Sequence, residues 1–366
     1  MSESQDISRV NRKRPWLTAI LLLFTVGLTG LVLWFGDVFP VRQAPLFRGK
    51  PESEWIKDLK YSDDQQVKEW RGYGEEGVQV LIRGLRRVNH PGERAYRRLC
   101  RLLPVWLSQR LPVPKADLTR STRHCIVSLL SSLGTDAKSA ASLMVWTAGN
   151  DEADGVRQSA ITYFDSNEGE NCLLNQLPGS LKQALLPALI RSIQDPGNWG
   201  LRNNAAILLK HYAEQREIVA PVLVKALQDP QPQVRLLAAE ALNRVAPDLA
   251  QKSGATATLV AITKHPDDQI AFRAVAALKG SGVQPDLAVP ALIECLQSTN
   301  NLVACEAVWA LEWAPKEFET YTNTFIPALA STSQREDNVG KYARAALARW
   351  KEKLWKEKLA GKPPAK

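Results

Sequence analysis

Residues 221–242 have the sequence PVLVKALQDPQPQVRLLAAEAL, two segments with helical spacing of apolar residues on either side of an Asp-Pro turn. In the second segment, Val234, Ala238 and Leu242 follow one another at intervals of four and therefore lie along one face of a helix. We predict a hairpin of two helices, helix A and helix B. Pro221 is expected at or near the first turn of helix A, where its missing N–H costs little.

The same unit recurs through the second half of the chain. Copies of the first segment begin at Pro187, Ala257, Pro290 and Pro327, so that the intervals between successive units are 34, 36, 33 and 37 residues. The apolar–Ala–apolar trio of helix B recurs as Leu201–Ala205–Leu209, Val234–Ala238–Leu242, Ile270–Ala274–Leu278, Val303–Ala307–Leu311 and Val339–Ala343–Leu347. One hairpin cannot bury both apolar faces, whereas stacked hairpins bury a continuous core. With weaker copies upstream, we predict an all-α solenoid of about seven hairpins from residue 75 onward.

An uncharged run near the N-terminus predicts a membrane anchor. Residues 15–36, PWLTAILLLFTVGLTGLVLWFG, contain no charged side chain, and a helix of about 20 apolar residues crosses the hydrocarbon core. Four basic residues lie between positions 9 and 14, and the first charge after the run is Asp37, so the positive-inside rule predicts a cytoplasmic N-terminus. A cleaved signal peptide is the alternative, but its apolar region is shorter and ends in small residues. We therefore expect an uncleaved signal anchor that places the repeats outside the cytoplasm.

Two segments resemble known families. VRLLAAEAL at residues 234–242, with Pro-x-Leu at the start of helix A, resembles HEAT repeats, in particular the alanine-rich kind of phycobilisome-lyase-like repeat proteins. PLFRGKPESEWIKDL at residues 45–59 resembles the segment that joins a membrane anchor to HEAT repeats in bacterial proteins of the Verrucomicrobia–Planctomycetes type. The resemblance implies a single-pass protein of the bacterial inner membrane with a periplasmic HEAT-repeat domain and no assigned activity.

These features divide the chain into five parts. They are a cytoplasmic basic stub at 1–14, a transmembrane signal anchor at 15–36, a linker with a short helix at 37–74, a HEAT-like repeat solenoid at 75–359 and a disordered tail at 360–366.

The sequence contains no clear catalytic or metal-binding motif. The motifs Gly-x-Ser-x-Gly, His-Glu-x-x-His and Cys-x-x-Cys are absent, and five cysteines and four histidines are too scattered for a metal framework. We therefore expect no catalytic residue, metal or cofactor. Cys125 and Cys172 are expected to be small buried thiols, and His211, near a helix end, a capping or solvated side chain. A disulfide between Cys295 and Cys305, on the two helices of one unit, is left open.

The positive charge is concentrated in one region. Residues 71–123 carry 11 arginines and one lysine against four acidic residues, whereas the net charge of the whole chain is +9. Seven arginines lie on two consecutive predicted helices, where spacings of three and four put several on shared faces. They are Arg83, Arg86, Arg87, Arg94, Arg97, Arg98 and Arg101. One interpretation is a solvated face with ion pairs, and the other is a patch for an anionic lipid, an acidic polymer or an acidic protein.

The predicted function is a membrane-anchored HEAT-repeat scaffold that mediates protein–protein interaction outside the cytoplasm and is not an enzyme. Its expected partners are the membrane, through residues 15–36, and an unidentified protein on the solenoid surface. Two alternatives stay open. One is a bilin-lyase-like repeat enzyme, which rests on analogy of fold. The other is a cytoplasmic solenoid that binds nucleic acid through the arginine-rich hairpin, although the predicted topology argues against nucleic acid.

Overall fold

The structure, a computed structural model, describes residues 45–88, 102, 104, 116–165, 172–280 and 282–359, with the backbone alone at 116–120 and 357–359. The predicted stub, membrane span and tail lie outside the described residues. Within those residues, no helix combines the length and the apolar character needed to cross a bilayer. The chain divides into two compact units, one of residues 1–59 with 83–122 and one of residues 60–82 with 123–366.

The first unit contains a small β-hairpin followed by a short helix. Strands β1 (Leu46–Phe47) and β2 (Lys50–Pro51) pair antiparallel, and Arg48 and Gly49 between them both have positive φ, as a tight hairpin turn requires. Helix α1 (Glu52–Lys57) follows directly. The indole N–H of Trp55 donates to the carbonyl of Phe47 at 3.0 Å, and the two rings pack edge to face. The indole therefore ties the helix to the hairpin.

The rest of the described chain is helical. Helices α2 (Asp64–Gly72), α3 (Gly74–Val88) and α4 (Ala116–Leu133) come first. The following helices are α5 (Ala141–Asn150), α6 (Asp154–Thr162), α7 (Gly179–Ile193), α8 (Trp199–Leu209), α9 (Arg216–Ala226), α10 (Pro232–Val245), α11 (Pro247–Ser253), α12 (Ala255–Ile262), α13 (Asp268–Ala277), α14 (Pro285–Cys295), α15 (Asn301–Glu312), α16 (Thr322–Thr332) and α17 (Asn338–Leu359). Short 3₁₀ segments occupy 134–140, 163–165, 173–176, 213–215 and 316–321.

Six successive hairpins make up the described residues from 141 to 359. Their A and B helices are α5 with α6, α7 with α8, α9 with α10, α12 with α13, α14 with α15, and α16 with α17. Each helix B also packs on the helix B of the next hairpin, while α11 is an extra helix after α10. The trio Val234, Ala238 and Leu242 is fully buried, as its spacing predicts. The prediction of an all-α fold with stacked repeats is thus confirmed for the second unit.

The prolines lie further inside helix A than the sequence predicts, and Pro187 lies furthest from the first turn. Pro187, Pro221, Pro290 and Pro327 lie inside helix A rather than in its first turn. Helix α9, for example, begins at Arg216, so Pro221 leaves the carbonyl of Glu217 without its helical donor. Helix α9 begins before Pro221 because Val219, upstream of the proline, is fully buried and adds one more turn of apolar surface to the core.

Buried ion pairs link the turns of successive hairpins. Arg123 on α4 has its Nε 2.9 Å from Oδ2 of Asp151, in the turn between α5 and α6, with 5% and 1% of the two side chains exposed. The Nε and Oδ2 atoms are poorly aligned for a hydrogen bond, but Nη2 donates to Oδ1 at 3.3 Å. Arg202 on α8 lies 2.6 Å from Asp229 in the turn between α9 and α10, and this pair is also buried. Each arginine therefore binds the aspartate of the following hairpin.

Arginines at the same place in later B helices also bind their own turns. Arg157 on α6 lies 3.7 Å from the Asp195 carboxylate of the next hairpin. Their guanidinium groups also donate to backbone carbonyls. Arg157 donates to the carbonyl of Asp151, Arg202 to that of Asp195 and Arg235 to that of Asp229, at 3.0, 3.0 and 2.8 Å. We call Arg123, Arg157, Arg202 and Arg235 the ladder arginines. The first three bind the aspartate of the following hairpin, and the last three bind a carbonyl of their own turn.

Removal of one partner from a buried ladder pair is expected to destabilise the protein strongly. Asp151→Ala leaves the Arg123 guanidinium buried without its carboxylate, which costs about 3 kcal/mol or more of unfolding free energy. Urea unfolding followed by circular dichroism measures the loss. The control is Asp248→Ala, which breaks an exposed pair with Arg216 and should leave the urea midpoint unchanged. Equal midpoints for the two variants would contradict a structural role for the ladder.

Candidate binding surface

Helix B turns one face to helix A and, in every described hairpin except that of α10, where Leu236 is buried, turns the opposite face to solvent. The buried trio occupies the first face, so the residues two and six positions after the first trio member lie on the second. In α6 these residues are Gln158 and Thr162, and in α15 they are Cys305 and Trp309. None of the four is buried. We call the surface formed by this side of the B helices and of α4 the outer B face.

Uncharged hydrogen-bonding side chains line the N-terminal part of the outer B face. They are His124, Ser128, Ser131 and Ser132 on α4, Gln158, Ser159 and Thr162 on α6, and Asn203 and Asn204 on α8. A cavity of about 300 Å³ and one of about 410 Å³ open between α4 and α6 and share Ser131, Ser132 and Thr162. We call the two cavities together with the adjoining surface of α8 the hydroxyl groove.

His124 is held on the wall of the hydroxyl groove by three neighbours. Its Nε2 lies 3.1 Å from the hydroxyl of Ser159, and its ring centroid lies 4.5 Å from that of Tyr61. The imidazole lies against the first turn of α6, where a Cβ on Gly155 would be in ordinary van der Waals contact with its Cε1 at 3.4 Å.

Gln158 on α6 lies against the first turn of α8, as His124 on α4 lies against the first turn of α6. A Cβ on Gly200 would lie 2.7 Å from Nε2 of Gln158, so the carboxamide covers the backbone of the first turn of α8. The hydroxyl of Thr162 accepts a hydrogen bond from Asn204 Nδ2 at 2.7 Å, which ties α6 to α8. Among the described residues, by contrast, neither the Gln158 carboxamide nor the Ser128 hydroxyl has a hydrogen-bond partner. These groups keep donors and acceptors available to a ligand.

The C-terminal part of the outer B face is aromatic. Leu302 and Trp309 on α15 and Trp313, which directly follows α15, remain 42%, 40% and 64% exposed. The Trp309 ring packs edge to face on Tyr342 of α17, and the Arg349 guanidinium lies 3.8 Å above the Trp313 ring. The outer B face therefore has a polar part and an apolar part.

A thiol and an imidazole meet near the start of α7, a contact that the sequence did not reveal. Cys172 is buried as predicted, but His211, expected at a capping or solvated position, has its Nε2 3.7 Å from the Cys172 sulfur. The Asn175 amide lies 3.3 Å from Nδ1 of the same ring. Burial, followed by the positive charges of Lys210, Arg244 and Lys182, lowers the pKa of His211 to about 4. The imidazole is therefore neutral at physiological pH.

The arginine-rich patch is described only in part. Arg94, Arg97, Arg98 and Arg101 lie outside the described residues. Arg83 binds the buried carboxylate of Glu52 at 2.5 Å, which raises the pKa of its guanidinium and neutralises its charge. Arg86 and Arg87 are exposed at the end of α3. The anionic-partner patch stays a prediction, and Arg83 serves to tie α1 to α3 within the first unit.

Cys295 and Cys305 are both unpaired thiols, so the disulfide that the sequence left open is not formed in this structure. Burial is the main cause that raises the pKa of each thiol above its ordinary value. Neither group is expected to ionise at neutral pH.

Comparison with known proteins identifies one repeat. Residues 219–249 match the HEAT repeat family, a segment that runs from α9 through α10 into α11. This segment is similar to a HEAT repeat. The HEAT-like character predicted from VRLLAAEAL is thereby confirmed, whereas the membrane-anchored bacterial type stays a prediction. No curated protein matches the chain in sequence.

Several solved structures match the chain at low similarity. A designed armadillo repeat protein is 21% identical, with a TM-score of 0.40, over 57% of this chain and 98% of its own. The Escherichia coli protein YibA is 16% identical, with a TM-score of 0.39, over 70% of this chain and 97% of its own. Kap121p is 14% identical, with a TM-score of 0.42, over 75% of this chain and 31% of its own.

The lowered pKa of His211 predicts a loss of stability in mild acid. The unfolded chain binds the proton near pH 6.5 and the folded chain near pH 4, so stability falls as the pH drops from 6.5 towards 4. His211→Gln should lose less stability over this range than the wild type, as measured by urea unfolding at pH 7.0 and 4.5. His265→Gln is the control and should retain the wild-type loss. The same loss in His211→Gln would contradict the buried, neutral imidazole.

Proposed function

We propose that the protein is a non-catalytic, membrane-anchored repeat scaffold that binds a protein partner outside the cytoplasm through the outer B face. The observation that carries the proposal is the hydroxyl groove, where uncharged hydrogen-bonding side chains of α4, α6 and α8 face solvent. The Ser128 hydroxyl and the Gln158 carboxamide keep unused donors and acceptors among the described residues. Stacked repeats offer an extended surface, and binding is what such a surface supports.

The distribution of the polar groups favours binding over catalysis. An active site gathers nucleophile, base and orienting group around one reacting atom. The groups of the hydroxyl groove instead follow one another from α4 to α6 to α8, and the aromatic part of the outer B face continues on α15 and α17. A surface of this kind suits an elongated protein partner. The arginine-rich hairpin remains a candidate for an anionic partner.

The membrane anchor is supported by the sequence. The uncharged run at 15–36 is long enough to span a bilayer, and the basic residues before it favour a cytoplasmic N-terminus. We therefore assign the protein a single-pass topology in a bacterial inner membrane, with the repeats in the periplasm.

A reporter fused to the C-terminus tests this topology. Alkaline phosphatase folds in the periplasm, so the full chain with this fusion should be active, while the same chain fused to green fluorescent protein should be dark. The control fusion lacks residues 1–44 and should show no phosphatase activity. Fluorescence together with absent phosphatase activity would place the repeats in the cytoplasm and refute the proposed location.

Site-specific photocrosslinking tests the binding surface in the intact chain. A photoreactive amino acid at Thr162 or Asn203, on the outer B face, should give one discrete adduct in cells. The same amino acid at Glu217, whose side chain is 90% exposed on the A helix α9, should give none. Adducts from Glu217 alone would move the interaction to the A helices and reject the proposal.

A further inference from the structure

We infer that α17, the last helix of the described array, docks on the surface of an anionic lipid bilayer through a stripe of basic side chains that ends in a tryptophan. The stripe consists of Lys341, Arg344, Ala348, Lys351 and Trp355, and we call it the cap stripe. The inference goes beyond the proposed scaffold function, because the cap stripe lies on α17 whereas the hydroxyl groove lies on α4, α6 and α8.

The spacing of the cap stripe puts its members on one side of α17. The intervals between them are 3, 4, 3 and 4 residues, which is the spacing of neighbours along one helix face. All five residues are exposed, and Trp355 exposes 62% of its surface. The basic groups and the indole therefore point to the same side of the helix.

The cap stripe faces away from the preceding hairpin. Arg349 marks the side of α17 that faces α15, because its guanidinium lies 3.2 Å from the Glu312 carboxylate. Lys351 follows two residues later and so lies about 200° further round the helix. In the earlier hairpins the next helix B packs on helix B, whereas no helix follows α17 among the described residues. The open end of α17 thus presents the cap stripe to solvent.

The positive charges of the cap stripe are not neutralised within the described chain. The ion pairs of α17 use other side chains, namely Arg349, Lys353 and Lys356. Among the described residues, Lys341 and Lys351 have no carboxylate within ion-pair distance, and Arg344 donates only to the carbonyls of Ser333 and Arg335. Residues 341–366 together contain nine basic and two acidic residues. Such a cluster attracts an anionic membrane surface.

The apolar side chains beside the charges favour a bilayer over other partners. Trp355 and the adjacent Leu354, which is 38% exposed, reach solvent near the end of α17. An indole prefers the headgroup level of a membrane, and lysines keep their amines at the phosphates while their stems lie on apolar surface. A nucleic acid would meet the cations but offers Leu354 no apolar surroundings. A second copy joined through the same stripe would bring like charges together.

Lipid quenching of a fluorescent amino acid that replaces Trp355 tests the docking. The full chain is reconstituted into vesicles of phosphatidylcholine, with or without the anionic phosphatidylglycerol, and lipids brominated on their acyl chains quench a fluorophore that reaches the bilayer. We expect quenching in the vesicles with phosphatidylglycerol and little in those without it. The matched control carries the fluorescent amino acid in place of Trp199, which is 51% exposed on α8, and should stay unquenched in both.

Charge variants separate electrostatic docking from unfolding. Lys351→Gln should lower the ratio of docked to undocked α17 about fivefold, and Lys341→Gln added to it about 25-fold, because each basic residue near an anionic surface contributes separately. Lys252→Gln, at an exposed position on α11, is the control and should leave the quenching unchanged. Both cap-stripe lysines are exposed without an ion-pair partner among the described residues, so the urea midpoint in detergent should not change.

Four outcomes would overturn the inference. They are absent quenching at position 355 with phosphatidylglycerol, equal quenching with and without it, equal quenching at positions 355 and 199, and quenching that ignores the lysine variants. A change of emission at position 355 with a DNA duplex but not with phosphatidylglycerol would assign the cap stripe to nucleic acid instead. None of these results removes the proposed scaffold function, which crosslinking from Thr162 and Asn203 tests independently.

Discussion

The buried pairing of arginine with aspartate across successive turns is the constraint on which the rest of the second unit depends. Arg202 shows it fully, since it holds its own turn through the carbonyl of Asp195 and the next turn through the carboxylate of Asp229. Two buried charges are stable together only in good geometry, so the pairing fixes the register of neighbouring B helices. The residue after each of the first three ladder arginines then lies on the outer B face, and these residues come into one row.

The same constraint explains why the outer B face has two parts. The ladder ends at Arg235, and α13 and α15 carry alanine at the corresponding positions 271 and 304. At this place α11 is inserted after α10, and the residue after the last ladder arginine is the buried Leu236. Beyond it, α15 and α17 expose aromatic rings instead of amides and hydroxyls. The polar part of the outer B face therefore lies on repeats that carry the arginine ladder.

The sequence predicted what depends on spacing along one helix. The trios of helix B are buried as expected, apart from the half-buried Leu347 in the last hairpin, because a period of four places them on one face. The start of helix A was misplaced, since a proline preference is weaker than the burial of Val219. Contacts between distant residues were not predictable. His211 meets Cys172 at a separation of 39 residues and Arg83 meets Glu52 at 31, and both depend on how folded elements stack.

Hydrogen exchange of the full chain and of its Asp151→Ala variant tests the central claim most directly, because it reports on every helix at once. We predict faster exchange in α4 and α6, next to the buried Arg123–Asp151 pair, and unchanged exchange there in Asp248→Ala, which breaks only an exposed pair. Unchanged exchange of α4 and α6 in Asp151→Ala would contradict the structural role of the buried pairs.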